Sequence, residues 1–177
     1  MHTSDTDRPH TTPHDAASAQ SQRSELRRSS LARRDALATS DRAEAERAIT
    51  KRLLELLDAH HVRHIHCYLS FRSEVETRPF LELALARGLG VAVPTITRER
   101  PEGPEVMHHV ALTSLADGLD QAAYGIEEPR KKEPADLDEL GAVILPLAAF
   151  DRSGTRLGYG KGFYDRFLAT LPRSVLR

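Results

Sequence analysis

Two neighbouring stretches, Ala142-Val-Ile-Leu-Pro146 and Asp151-Arg-Ser-Gly-Thr-Arg-Leu-Gly-Tyr-Gly-Lys-Gly-Phe-Tyr-Asp165, decide the fold. The first is a short apolar run that reads as a buried strand. At the end of the second, Phe163 to Leu171 puts Phe163, Phe167, Leu168 and Leu171 on one face of a helix. Between strand end and helix start lie Gly154, Gly158, Gly160 and Gly162, the cations Arg156 and Lys161, and the acid Asp165. Glycines let backbone N–H groups approach a ligand, and a helix N-terminus carries partial positive charge. The ligand suited to such a place is a phosphate, and Asp165 can hold an accompanying magnesium ion. The run is neither a Walker A loop, since Gly162 follows Lys161, nor G-x-G-x-x-G. The plainer alternative is a tight strand–helix turn whose glycines only supply positive φ, although one turn needs fewer glycines.

The run resembles the signature of the 5-formyltetrahydrofolate cyclo-ligase family, Pro-x-x-x-Phe-Asp-x-x-Gly-x-Arg-Leu-Gly-x-Gly-x-Gly-Tyr-Tyr-Asp. Here it reads Pro146, Phe150, Asp151, Gly154, Arg156, Leu157, Gly158, Gly160, Gly162, Phe163, Tyr164 and Asp165. Phe163 replaces the usual Tyr and loses its hydroxyl. Ser24-Glu-Leu-Arg27 resembles the family's N-terminal Lys-x-x-Leu-Arg, with Arg23 at the Lys position. Tyr68-Leu-Ser-Phe-Arg-Ser-Glu-Val-Glu-Thr77 resembles its Glu-x-Glu-Thr stretch, and Tyr124-Gly-Ile-Glu-Glu-Pro129 its Tyr-Gly-Ile-x-Glu-Pro stretch. The similarity runs in the family's order from residue 23 to residue 171.

The resemblance implies ATP-driven closure of 5-formyltetrahydrofolate to 5,10-methenyltetrahydrofolate, with ATP as co-substrate and Mg2+ as its ion. It implies an ATP-phosphate loop over Arg156, Leu157, Gly158, Tyr159, Gly160, Lys161, Gly162, Phe163 and Tyr164, with Arg23 and Arg27 as further nucleotide contacts. Lys161 and Arg156 are the expected catalytic cations, and Asp165 the magnesium ligand. Substrate contacts are expected from Arg27, Leu69, Glu74, Tyr159, Gly160, Lys161, Gly162 and Phe163. Arg at position 23 keeps the charge of Lys with another geometry. The family continues past the position of Arg177 with at least one more strand and a magnesium-binding acid, so the domain is expected to be incomplete at its C-terminal strand.

The chain has 177 residues, which predicts one domain over 23–177 behind a disordered tail over 1–22. A formal charge of −1 argues against nucleic acid as partner. No stretch nears the roughly 20 apolar residues of a membrane span. Met1 to Ser21 is polar and lacks the apolar centre of a secretory leader. With Cys67 as the one cysteine, a reducing cytoplasm is expected. Cys67 itself reads as a small buried hydrophobe. His2, His10 and His14 read as solvated tail residues rather than a metal site. A monomer is expected, with a small-molecule partner that can carry a polyglutamyl tail.

Outward from the glycine run, the pattern predicts an α/β fold: a mainly parallel sheet flanked by helices on both faces in three layers. Helices are expected over Arg23–Leu37, Asp41–Ala59 (Asp41 as N-cap, with Ala45, Ile49, Leu53, Leu56 and Leu57 in register) and Thr77–Arg87 (Pro79 in its first turn, Gly88 at its end). Strands are expected over His64–Leu69, Val91–Val93 (stopped by Pro94), Val106–Val110 and Ala142–Leu145. Thr95–Pro104 reads as a polar loop and Tyr124–Pro134 as an irregular connection, with Tyr124 and Gly125 shaping a turn. Ligands bind beyond the carboxyl ends of such strands, where Ser70–Thr77 and Pro146–Asp165 lie. Two alternatives stay open: a non-catalytic folate- or nucleotide-binding protein, and a sugar-phosphate isomerase on the same scaffold.

Overall fold

The computed structural model describes residues 13–98, 100–116, 118–122 and 125–177, with backbone alone for 13–16. Its elements in order are α1 (Pro13–Asp35), α2 (Thr39–Ala59), β1 (His64–Cys67), α3 (Arg78–Ala86), β2 (Gly90–Arg98), β3 (Glu105–Ala111), β4 (Leu119–Gln121), β5 (Glu127–Pro129), β6 (Ala142–Ile144), β7 (Ala149–Phe150), β8 (Arg156–Leu157) and α4 (Phe163–Thr170). The main sheet runs β3-β2-β1-β6. β1 is parallel to both neighbours, through His66↔Ala92 and His66↔Val143, and β3 returns antiparallel to β2. Leu176 forms a further parallel bridge to Ala142 on the far side of β6.

Alternation along the strands builds the three layers. Ile65, Cys67, Val91, Val93, Val110 and Ala142 face one way, onto Leu54 and Leu57 of α2 and Phe80, Leu81 and Ala84 of α3. His66 and Val143 face the other way, toward α4, where Val143 joins Phe167 in a second cluster. The mainly parallel three-layer sheet is as expected. Cys67 is fully buried.

Several elements differ from expectation. α1 begins at Pro13 rather than near Arg23, so residues 13–22 are helical. α2 begins at Thr39, and its cap, Ala38, makes no side-chain bond; Asp41 lies in the first turn, where its charge suits the helix dipole. Its buried stripe is Leu54 and Leu57, while Ile49 and Leu56 stay exposed. β1 stops at Cys67. β2 runs straight through Pro94 to Arg98, taking in part of the expected loop. The reason is directional. Two residues along and on the same side, the Ile96 N–H points away from β3 and donates to Glu128 Oε1 at 2.7 Å. The N–H that Pro94 lacks would point that way too, so no bond to β3 is lost. Glu127–Pro129 forms a ribbon with β4 inside the expected irregular stretch. Tyr124 lies outside the described residues. β7 and β8 pair as a hairpin within the stretch read as loop.

His66 is fully buried, with Nε2 3.1 Å from His109 Nδ1 and its ring edge against Tyr164 and Phe167. Burial, then His109, pushes its pKa from 6.5 down to about 3. The folded state therefore holds it neutral, while the unfolded chain protonates it near the ordinary value. Below that value unfolding takes up protons, so stability is present above pH 6.5 and drains away as pH falls toward 3. Urea denaturation at about pH 7 and about pH 4.5 should show a loss on the order of 2 kcal/mol from this group. His66→Phe should flatten that part of the profile.

Candidate active site

The glycine-rich run is a folded object. Asp151 starts it: its Oδ1 accepts the N–H groups of Ser153 and Thr155 at 2.9 Å each and the Ser153 hydroxyl at 2.6 Å. These bonds, the Ser153 hydroxyl foremost, hold its carboxyl below the usual range. The hairpin β7–β8 then brings the chain back past Phe150. Gly160 and Gly162 have φ of +94° and +70°, a region L-residues rarely adopt. Gly162 caps α4 in this left-handed form.

A second loop, Ser70–Thr77, leaves β1 beside it. The Thr77 hydroxyl donates to Tyr68 O at 2.9 Å and accepts the Ser70 N–H at 3.1 Å, which closes the loop. The Phe71 N–H donates to Glu74 Oε2 at 2.9 Å. α1 covers both loops. Arg27 Nε donates to Gly158 O at 2.8 Å, and a Cβ on Gly160 would lie 3.5 Å from the Arg27 guanidinium.

These segments enclose a cavity of about 1080 Å3. Its lining takes in Arg23, Arg27, Leu69, Glu74, every residue from Arg156 to Tyr164, and Asp165. All the candidate catalytic, ligand-binding and metal-binding residues thus meet on one space, at the carboxyl ends of β1 and β6. Small-molecule sites span roughly 300–1,000 Å3, so the space stands at the top of that range.

The charges pair across this space. Arg156 bonds the Asp165 carboxylate. Lys161 Nζ lies 3.5 Å from Glu105 Oε2 on β3, and Glu105 also takes Arg98 at 2.8 Å. Burial raises the Glu74 carboxyl above its usual range against the pull of Tyr159, Phe71 N and Arg34. The Tyr159 phenol is pushed up to about 12 by burial and by Glu74. Tyr164 is raised further by burial, and its hydroxyl has no partner among the described residues.

The sequence profile of the 5-formyltetrahydrofolate cyclo-ligase family matches residues 19–176. The chain belongs to this family. A cyclo-ligase of Haemophilus influenzae is 33% identical over 129 residues, covering 71% of this chain and 66% of that protein. A probable cyclo-ligase of Schizosaccharomyces pombe is 29% identical over 126 residues, covering 69% of this chain and 59% of that one. The match therefore spans about two thirds or less of these curated relatives. The NMR structure of Aquifex aeolicus 5,10-methenyltetrahydrofolate synthetase superposes with a TM-score of 0.70 at 27% identity, covering 87% of this chain and 75% of that one.

Other residues of this family member line the same cavity without having been expected as ligand contacts. Arg34 and Ser30 lie on α1. An Arg-rich helix gives no sign of which arginine turns inward. Phe150 stands 75% exposed on β7, beside the cavity it lines. Glu128 is 3% exposed, its carboxylate shared between Ile96 N and Lys132 Nζ at 2.7 Å each. His108 is exposed, and the ring of His109 packs on Phe167, which fits a packing role.

Gly160→Ala places a Cβ at φ +94°. It should cost about 1–2 kcal/mol in urea denaturation. A stability equal to that of the parent would show that the turn relaxes freely.

Proposed function

We propose that the protein catalyses ATP- and Mg2+-dependent cyclisation of 5-formyltetrahydrofolate to 5,10-methenyltetrahydrofolate. One observation carries the reading: three separate segments, around residues 23–27, 69–77 and 156–165, converge on one cavity. Membership of the cyclo-ligase family supports the reading. The Aquifex aeolicus relative bears the name of a methenyltetrahydrofolate synthetase.

A formamide carbonyl is a weak electrophile, and its oxygen is a poor leaving group. Transfer of the γ-phosphoryl of ATP breaks the bond to the β-phosphate and joins phosphorus to the formyl oxygen. N10 then attacks the formyl carbon, the C–O bond to phosphate breaks, and N10 gives up its proton. ADP and phosphate leave. The protein's share is alignment and charge neutralisation. In this reading Lys161 turns from Glu105 to the transferring phosphoryl group, and Arg156 and Arg27 neutralise the polyphosphate. Arg23 adds a cation farther along α1. Leu69 and Glu74 meet the folate, Glu74 accepting from pterin N–H groups. Tyr159, Gly160, Gly162 and Phe163 stand between the two ligands, and Tyr164 closes the nucleotide side.

Among the described residues no three His, Cys, Asp or Glu side chains form a metal cage. Mg2+ commonly takes one or two carboxylates and fills its shell with water and substrate phosphates. Asp165, exposed at the loop end, fits that donor set. The ion supplies charge neutralisation on the phosphoryl oxygens.

Incubation with ATP, Mg2+ and 5-formyltetrahydrofolate should raise methenyltetrahydrofolate absorbance in the near ultraviolet. Binding of both ligands without that signal would favour the non-catalytic binder instead. Lys161→Ala should lower kcat by about 100-fold or more. Its fold should survive, because Glu105 keeps Arg98 as a partner at 2.8 Å when Lys161 is removed. Unchanged turnover would remove Lys161 from the mechanism. Asp165→Asn should raise the Mg2+ concentration that gives half-maximal rate, and an unmoved requirement would place the ion elsewhere.

A further inference from the structure

We propose that Arg34 is a positioning residue for the folate-binding acid and acts on it through the Tyr159 hydroxyl. The inference rests on the reading above, in which Glu74 meets the pterin. Arg34 is one turn beyond Ser30 on the cavity side of α1, and its guanidinium reaches three other segments. Nε donates to Ser73 Oγ at 3.1 Å in the loop after β1. Nη1 donates to Leu147 O at 3.4 Å, just past β6, and to Tyr159 Oη at 3.0 Å in the glycine run. The Tyr159 hydroxyl and the Glu74 carboxylate line the same cavity, and each shifts the titration of the other. A phenol has one proton and accepts through its lone pairs. With Arg34 donating into the oxygen, that proton is left to point at Glu74.

In this proposal the chain Arg34, Tyr159, Glu74 links α1 and the glycine run to the folate side. Arg42 fixes the base of this chain. Its guanidinium donates to Ser73 O at 2.7 Å and to Arg34 O at 2.8 Å. A planar fork is needed at Arg34, because one group must serve a hydroxyl, a carbonyl and a phenol in fixed directions. Lysine would keep the charge and lose the fork. Among the described residues, Arg33, the adjacent residue, has no comparable set of partners.

The test is calorimetric titration of the whole chain with 5-formyltetrahydrofolate and, separately, with a non-hydrolysable ATP analogue and Mg2+, alongside turnover. Arg34→Ala should weaken folate binding by about tenfold or more, the loss of one bond to a charged group. Its affinity for the ATP analogue should fall clearly less than that for the folate, since Arg27 still docks α1 on Gly158 O. Arg34→Lys should recover little of the loss. Tyr159→Phe, which leaves α1 docked, should weaken folate binding in the same direction, and the double variant should be no worse than Arg34→Ala alone. Equal weakening of both ligands, additive effects of the two substitutions, or unchanged folate binding would each overturn the proposal. Wild-type protein that binds the folate without turnover would remove the proposed reaction and leave Arg34 to be decided by the affinities. Wild-type protein that binds neither ligand would overturn both.

Discussion

The parallel pairing of β1 with β6 is the constraint on which the rest depends. His66 sits opposite Val143 and Cys67 opposite Ile144, so the two strands end level. The loops that follow them must emerge side by side, although they are far apart in sequence. The pairing is held tightly at its start: a Cβ on Gly141 would lie 3.0 Å from Val62. Strands and helices of this kind are apolar scaffolding; the chemistry sits in the loops they aim.

The roof is built differently from the floor. Among the described residues no core side chain comes from α1, and its one buried side chain is Ser30. The helix is docked by hydrogen bonds from Arg27 and Arg34 to carbonyls and hydroxyls of the loops below. Arg42, at the start of α2, adds a bond to the Arg34 carbonyl. A polar roof leaves its cations at the cavity wall, where burial of an apolar stripe would have left none. Electrostatic attraction for a polyanion is thus a by-product of how the helix is held.

Much of this was legible in the chain. The glycine run between an apolar strand and an amphipathic helix marked the loop, and alternation around Cys67 marked the central strand. Thr77, Pro79 and Gly88 bracketed a helix close to where it forms. The misses have physical causes. Pro94 reads as a strand end because a missing N–H usually costs a ladder bond; only the pairing direction reveals that none is lost. The β4–β5 ribbon and the β7–β8 hairpin are too short to show periodicity. Arg34 is hidden among identical neighbours on a helix with no apolar stripe to fix its rotation. The His66–His109 contact depends on where α4 lands, which strand alternation does not encode.

The course of β2 has an effect beyond shape. Past Ala92, β1 no longer pairs with it, and Pro94 and Ile96 border the cavity. An open sheet border of this sort normally invites a foreign peptide or a second copy to add a strand. Here Pro94 has no proton to offer, and the one at Ile96 is occupied by the Glu128 carboxylate. Along this wall, neither Pro94 nor Ile96 therefore offers a free N–H to an incoming strand.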